Sequence, residues 1–116
     1  MTDSLRDLSK ELERFAGERD WEQFHSPKNL ASALVVEASE LLEHFQWMTE
    51  DQSRALPIEK RAIGGAESAD VLLYRIHLAD ALDIDPIAAS AEKLELNNLK
   101  YPVARTRRSS KKYDKL

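Results

Sequence analysis

The sequence predicts an all-α fold, a bundle of about four helices assembled as a homo-oligomer. Three observations carry that expectation. Apolar residues recur at spacings of three and four along most of the chain, the period of a helix with one buried face. Only three glycines occur among the 116 residues, two of them adjacent at Gly64 and Gly65, and the hairpin dipeptides Asn-Gly and Asp-Gly are absent. Four helices on so short a chain leave apolar surface over, which favours self-association, with dimer and tetramer both open.

The first helix is expected from about Thr2 to Gly17, with Leu5, Leu8, Leu12 and Phe15 at helical spacing. Arg19 to Pro27 is a connection holding Trp21, Phe24 and His25. Ser26 reads as an N-cap, because its hydroxyl can accept from a free backbone N–H, and Pro27 as the first helical residue. The second helix is expected from Pro27 to about Met48, with Leu30, Leu34, Ala38, Leu41 and Phe45 on one face. A break around Thr49 to Leu56 precedes a third helix from about Pro57 to Leu82. Its centre is apolar nearly all round, so it should be the most buried element. Asp83 or Asp85 caps a fourth helix with Pro86 in its first turn, ending near Leu99. From Val103 the composition turns basic and poor in apolar residues, and alone it would not fold. The expected organisation is a helical domain over 1–102 and a basic tail over 103–116, ordered on substrate binding.

Composition narrows the function classes. Apolar residues make up 42% and charged residues 33%, with a formal net charge of -4 and a pI of about 5.4. A nucleic acid polymer is therefore not an expected partner, since such proteins usually present a basic surface. The absence of cysteine excludes disulfides, thiolate–zinc sites and thiol nucleophiles. No apolar run is long enough to cross a bilayer, and the polar beginning MTDSLRDLSKELERF lacks a signal core. The expectation is a cytoplasmic protein with no membrane partner.

Residues three apart on a helix share a face. Glu37 and Glu40, in EASELLEHFQW, therefore project side by side at the edge of the apolar stripe, and Glu67 and Asp70 repeat the arrangement on the third helix. Asp70 precedes Val71, Leu72 and Leu73, so its surroundings are expected to be buried. If the two helices pack, four carboxylates converge, and two of them about 5 Å apart repel by roughly 3 kcal/mol at an effective dielectric of 20. A cation removes that cost, and an all-oxygen donor set favours a hard ion, Mg²⁺ or Mn²⁺. The competing expectation is a pair of solvated faces, or neutralisation by Lys and Arg. His44, four after Glu40, and His77, seven after Asp70, could reach such a site, but a hard ion needs neither.

Trp21, Trp47 and Tyr74 are candidates for stacking on a nucleobase, and Tyr74 shares its face with Asp70. The alternative is that all three are core. His25 could hydrogen-bond a base or sugar. Lys93, Asn97 and Lys100 fall on one face of the fourth helix, near Tyr101, and suit phosphate or sugar. Arg108, Lys111 and Lys112 of the tail could close over a triphosphate.

These residues also form an ordered set. ERDWEQFHSPKNL, the E-x-x-E of Glu37 and Glu40, the E-x-x-D of Glu67 and Asp70, then Lys93, Asn97, Tyr101-Pro102 and the Ser-Ser-Lys-Lys-Tyr tail resemble the dCTP pyrophosphatases of the all-α MazG-like nucleotide pyrophosphohydrolase superfamily. The likeness covers about Leu5 to Leu116. It implies Mg²⁺-dependent hydrolysis of a nucleoside triphosphate to the monophosphate and pyrophosphate in nucleotide-pool house-cleaning, and a helical homo-oligomer. By position it implies Glu37, Glu40, Glu67 and Asp70 as metal ligands, with Glu37 or Glu40 as the base that activates water. Trp21, His25, Trp47 and Tyr74 would frame base and sugar, with Lys93, Asn97, Tyr101 and Lys112 at sugar or phosphate. Members often carry another carboxylate immediately before the E-x-x-D glutamate; here that place is Ala66. The preferred base stays open among dCTP, dUTP and modified or damaged nucleotides. A non-catalytic helical binding module is the alternative class.

Overall fold

The computed structural model describes residues 4–116 and is all-α, with no strand among them. It divides into two compact units, Met1–Asp83 and Ile84–Leu116.

In the first unit, α1 (Leu5–Glu18) begins at Ser4, whose hydroxyl accepts from the Asp7 N–H at 3.1 Å. Of the expected start, Thr2 and Asp3 lie outside the described residues. The helix ends without a glycine. Asp20 adopts φ 54°, and the N–H groups of Asp20 and Trp21 donate to Gly17 O (3.1 Å) and Ala16 O (3.0 Å). This left-handed stop closes the last carbonyls of the helix and turns the chain toward a 3-10 turn, Glu22–Phe24. Helix α2 (Pro27–Glu43) then starts where the sequence places it: Ser26 Oγ accepts from Asn29 N at 3.1 Å, and Asn29 Nδ2 donates back to Phe24 O at 3.0 Å.

Helix α2 stops at Glu43, five residues short of the expected Met48. His44 to Met48 instead form tight turns, with Phe45 N donating to Leu42 O and Met48 N to Phe45 O, both at 2.9 Å. Within the expected break a further short helix, α3 (Glu50–Arg54), is closed by a capping box between Thr49 and Gln52. Helix α4 (Ile58–Ala81) follows Pro57 and is the longest element; α2 and α1 both pack along it. Ser9 Oγ donates to the Asp80 carboxylate at 2.9 and 3.1 Å, tying α1 to the end of α4.

The buried apolar residues, Leu12, Ala16, Leu30, Ile76 and Ala79, all belong to this unit. Both other helices of the unit pack on α4, the helix expected to be the most buried, yet its burial is incomplete: Ile76 and Ala79 are buried, while Ile63 and Leu72 stay exposed. Within this unit α1 and α2 cover a helix that is apolar on more than two sides. Ala38 of α2, expected on the apolar face, is exposed too.

In the second unit, α5 (Pro86–Lys100) is capped by Asp85, whose Oδ1 accepts from Ile87 N and Ala88 N at 3.0 and 3.2 Å. A single turn, α6 (Val103–Thr106), and a 3-10 turn, Tyr113–Lys115, follow. Tyr101 and Tyr113 meet edge to face at 6.2 Å, and the Lys100 ammonium lies 5.0 Å from the Tyr113 ring centre. No described helix is long and apolar enough to cross a membrane.

Candidate active site

The packing of α2 on α4 brings the two acidic motifs together. Carboxylate oxygens of Glu37, Glu67 and Asp70 lie within 4.8 Å of one another. Glu40, the fourth predicted ligand, is outside that group of three, though its charge is felt by Glu37. Helical geometry explains the difference: residues three apart share a face but diverge by about 60°. Only Glu37 of the pair therefore aims squarely at α4.

Glu37 and Glu67 are half-buried, whereas Asp70 is exposed. The expectation of buried surroundings for Asp70 is thus corrected; its neighbour Leu72 is exposed as well. Partial burial, then the charges of Glu40, Asp70 and Glu67, hold the Glu37 carboxyl above its ordinary value. No lysine or arginine is ion-paired with any of the four among the described residues; the one partner is His44, whose Nε2 lies 3.6 Å from Glu67 Oε1.

A divalent ion fits this arrangement. Around Mg²⁺, with oxygens at about 2.1 Å, neighbouring ligands stand about 3 Å apart and opposite ones about 4.2 Å. The three carboxylate oxygens, within 4.8 Å of one another, lie close to those spacings. The all-carboxylate set suits a hard cation.

Two groups of rings flank the cluster. On one side an open cavity of about 500 Å³ is lined by Glu43, His44, Trp47, Met48, Gln52 and Lys60, among others. Trp47 is 90% exposed, so it has no core role within the chain. On the other side the His25 and His77 rings lie 4.6 Å apart, with Tyr74 6.2 Å from His77. They border a cavity of about 420 Å³ that Glu13, Glu22 and Asp80 also line. Burial, and next the charge of His25, push the His77 pKa below its ordinary value, against the opposing pull of Asp80. Trp21, 45% exposed, meets Phe15 edge to face at 5.6 Å. Tyr74 thus lies between Asp70 and His77 on one helix. His44 and His77, which a hard ion does not require, both prove to be structured parts of this region. In the second unit Lys93 and Lys112 are exposed, while Asn97 and Tyr101 are half-buried and joined by a 2.8 Å bond from Tyr101 N to Asn97 O.

Fold and acid cluster agree with the relationships of the chain, which belongs to the MazG-like family; the family model matches residues 33–116. The chain is 44% identical to dCTP pyrophosphatase 1 of Mus musculus and 41% identical to that of Homo sapiens, in each case over 97% of this chain and 68% of the relative. A crystal structure of a pyrophosphatase from Archaeoglobus fulgidus superposes with a TM-score of 0.81 at 37% identity, covering 88% of this chain and 95% of that one.

Proposed function

We propose that this chain hydrolyses dCTP, or a related modified deoxynucleotide, to the monophosphate and pyrophosphate with the help of Mg²⁺. It is an enzyme of the nucleoside triphosphate pyrophosphatase class. The observation that carries the proposal is the convergence of Glu37, Glu67 and Asp70 in a chain so similar to dCTP pyrophosphatases.

In this reading Glu37, Glu67 and Asp70 hold the cation, Mg²⁺ or Mn²⁺. When bound, such an ion polarises phosphoryl oxygens and lowers the pKa of water. Glu40, outside the trio, keeps its lone pairs for a proton and serves as the base. It takes a proton from water as the water oxygen bonds to a phosphorus of the α–β bridge. The bridging P–O bond breaks, and the monophosphate and pyrophosphate separate. Positioning and charge do most of the work, as is general in phosphoryl transfer. Trp47 stacks on the base; Trp21, His25 and Tyr74 complete the base and sugar pocket. Lys93, Asn97, Tyr101 and Lys112 contact sugar or phosphate, and the tail over 103–116 closes over the triphosphate. The active form is a homo-oligomer, a dimer or tetramer, which covers apolar residues such as Val35, Leu42 and Leu94 that the single chain leaves exposed. It works in the cytoplasm in nucleotide-pool house-cleaning.

Incubation with dCTP and Mg²⁺, resolved by anion-exchange chromatography, should yield dCMP and pyrophosphate in equal amounts. Orthophosphate with dCDP would overturn the bond assigned. Glu40→Gln should abolish turnover while keeping Mn²⁺ binding, and turnover retained in that variant would overturn its role as base.

A further inference from the structure

A carboxylate has two oxygens, and a cation held by one leaves the group free to swing unless the other is restrained. Outer partners of metal ligands supply that restraint, and their loss typically costs about 10–100-fold in metal affinity. Among the described residues one side chain is placed to do this for the acid cluster. His44 caps the C-terminal end of α2, with its N–H on Leu41 O at 3.3 Å, and its Nε2 lies 3.6 Å from Glu67 Oε1 on α4. Its ring stands between the open cavity holding Trp47 and a smaller one of about 150 Å³ lined by Phe45, Met48 and Ile63. The His44 side chain is 38% exposed and that of Glu67 24%, so the pair is partly shielded from competing water.

We propose that His44 is a positioning residue for Glu67. Its Nε2–H points a donor at Oε1 and fixes the rotation of the carboxylate, so that the second oxygen faces the cation shared with Glu37 and Asp70. The gap of 3.6 Å is longer than a direct hydrogen bond, and a small rotation of either side chain closes it. The proposal rests on the acid cluster being a metal site. It goes further in giving one imidazole, contributed by the turn that ends α2 early, control over how well that site is formed.

The test is Mn²⁺ binding to the nucleotide-free protein, read from the electron paramagnetic resonance signal of free Mn²⁺. His44→Leu should weaken binding about tenfold. His44→Gln, whose amide N–H reaches to a similar point, should stay near wild type. Circular dichroism of each variant confirms the fold, and His44→Asn, an amide too short to reach, replaces the leucine variant if that one fails to fold. Wild-type affinity in a folded His44→Leu or His44→Asn overturns the proposal while leaving the metal site standing. Equal loss in His44→Gln overturns it too, as does a nitrogen modulation in the pulsed spectrum, which would put the imidazole on the ion itself. Absence of saturable Mn²⁺ binding to wild type would instead sink the metal reading on which the proposal rests.

Discussion

Glu67 is the acid whose neutralisation separates a metal site from a solvated face. Its carboxylate lies within 4.8 Å of those of both Glu37 and Asp70. Two unit charges at that distance repel by about 0.9 kcal/mol in water and about 3.5 kcal/mol at an effective dielectric of 20. The Glu67 side chain is 24% exposed and Asp70 is open, so screening toward the lower figure applies. Glu67→Gln removes both repulsions, about 2 kcal/mol together, and forfeits the contact with His44, worth at most about 1 kcal/mol. The metal-free variant should thus be more stable than wild type by about 1–2 kcal/mol, a rise in Tm of roughly 5 °C or more for a domain of this size. Mg²⁺ reverses the order. At a hundred times its Kd a ligand of the folded state adds about 2.7 kcal/mol; wild type gains this and the variant most of the way does not. Thermal melts followed by circular dichroism, in chelator and then in Mg²⁺, give both numbers. A metal-free variant that melts below wild type, or one whose Tm still climbs with Mg²⁺ like wild type, would refute the reasoning.

Three further outcomes are expected. Trp47→Ala should leave stability within about 0.5 kcal/mol, because a side chain 90% exposed has little packing to lose; it should raise the KM for dCTP about tenfold through lost stacking. His77 has a folded pKa below its ordinary value, so the unfolded chain takes up the proton first. Stability present at pH 7.5 is therefore lost as pH falls through about 6.5 toward that lower pKa. His77→Phe should flatten the Tm–pH profile there, and an unchanged slope would contradict the assignment. Gly65→Ala should stabilise the fold by about 1 kcal/mol by the helix preference for alanine, since a Cβ at Gly65 meets nothing within 4 Å; urea denaturation reads the shift.

Much of this was legible before any coordinates. Ser26-Pro27 and Asp85-Pro86 announced two helix starts, and both cap as their chemistry requires. The two i,i+3 acid motifs announced the cluster. The early end of α2 was not legible from breakers, because HFQWM contains neither glycine nor proline. A signal did stand just beyond it: Thr49-x-x-Gln52 is a capping-box pattern, and it starts α3 where only a break was expected. The end of α1 was hidden because an aspartate, Asp20, fills a left-handed position that glycine usually takes. The distinction between Glu37 and Glu40 depends on how α2 is rotated against α4, as does the approach of His44 to Glu67. Spacing along one helix carries no information about rotation against another.

Asp70, Tyr74 and His77 lie on one stripe of α4, an uninterrupted rod from Ile58 to Ala81 without an internal proline. Seven residues of helix set the Cα atoms of Asp70 and His77 about 10 Å apart along the axis, only some 20° out of line. That interval is a fixed gauge. A molecule touching both ends must match it as it arrives, for a straight helix offers no joint by which the span could be lengthened or shortened.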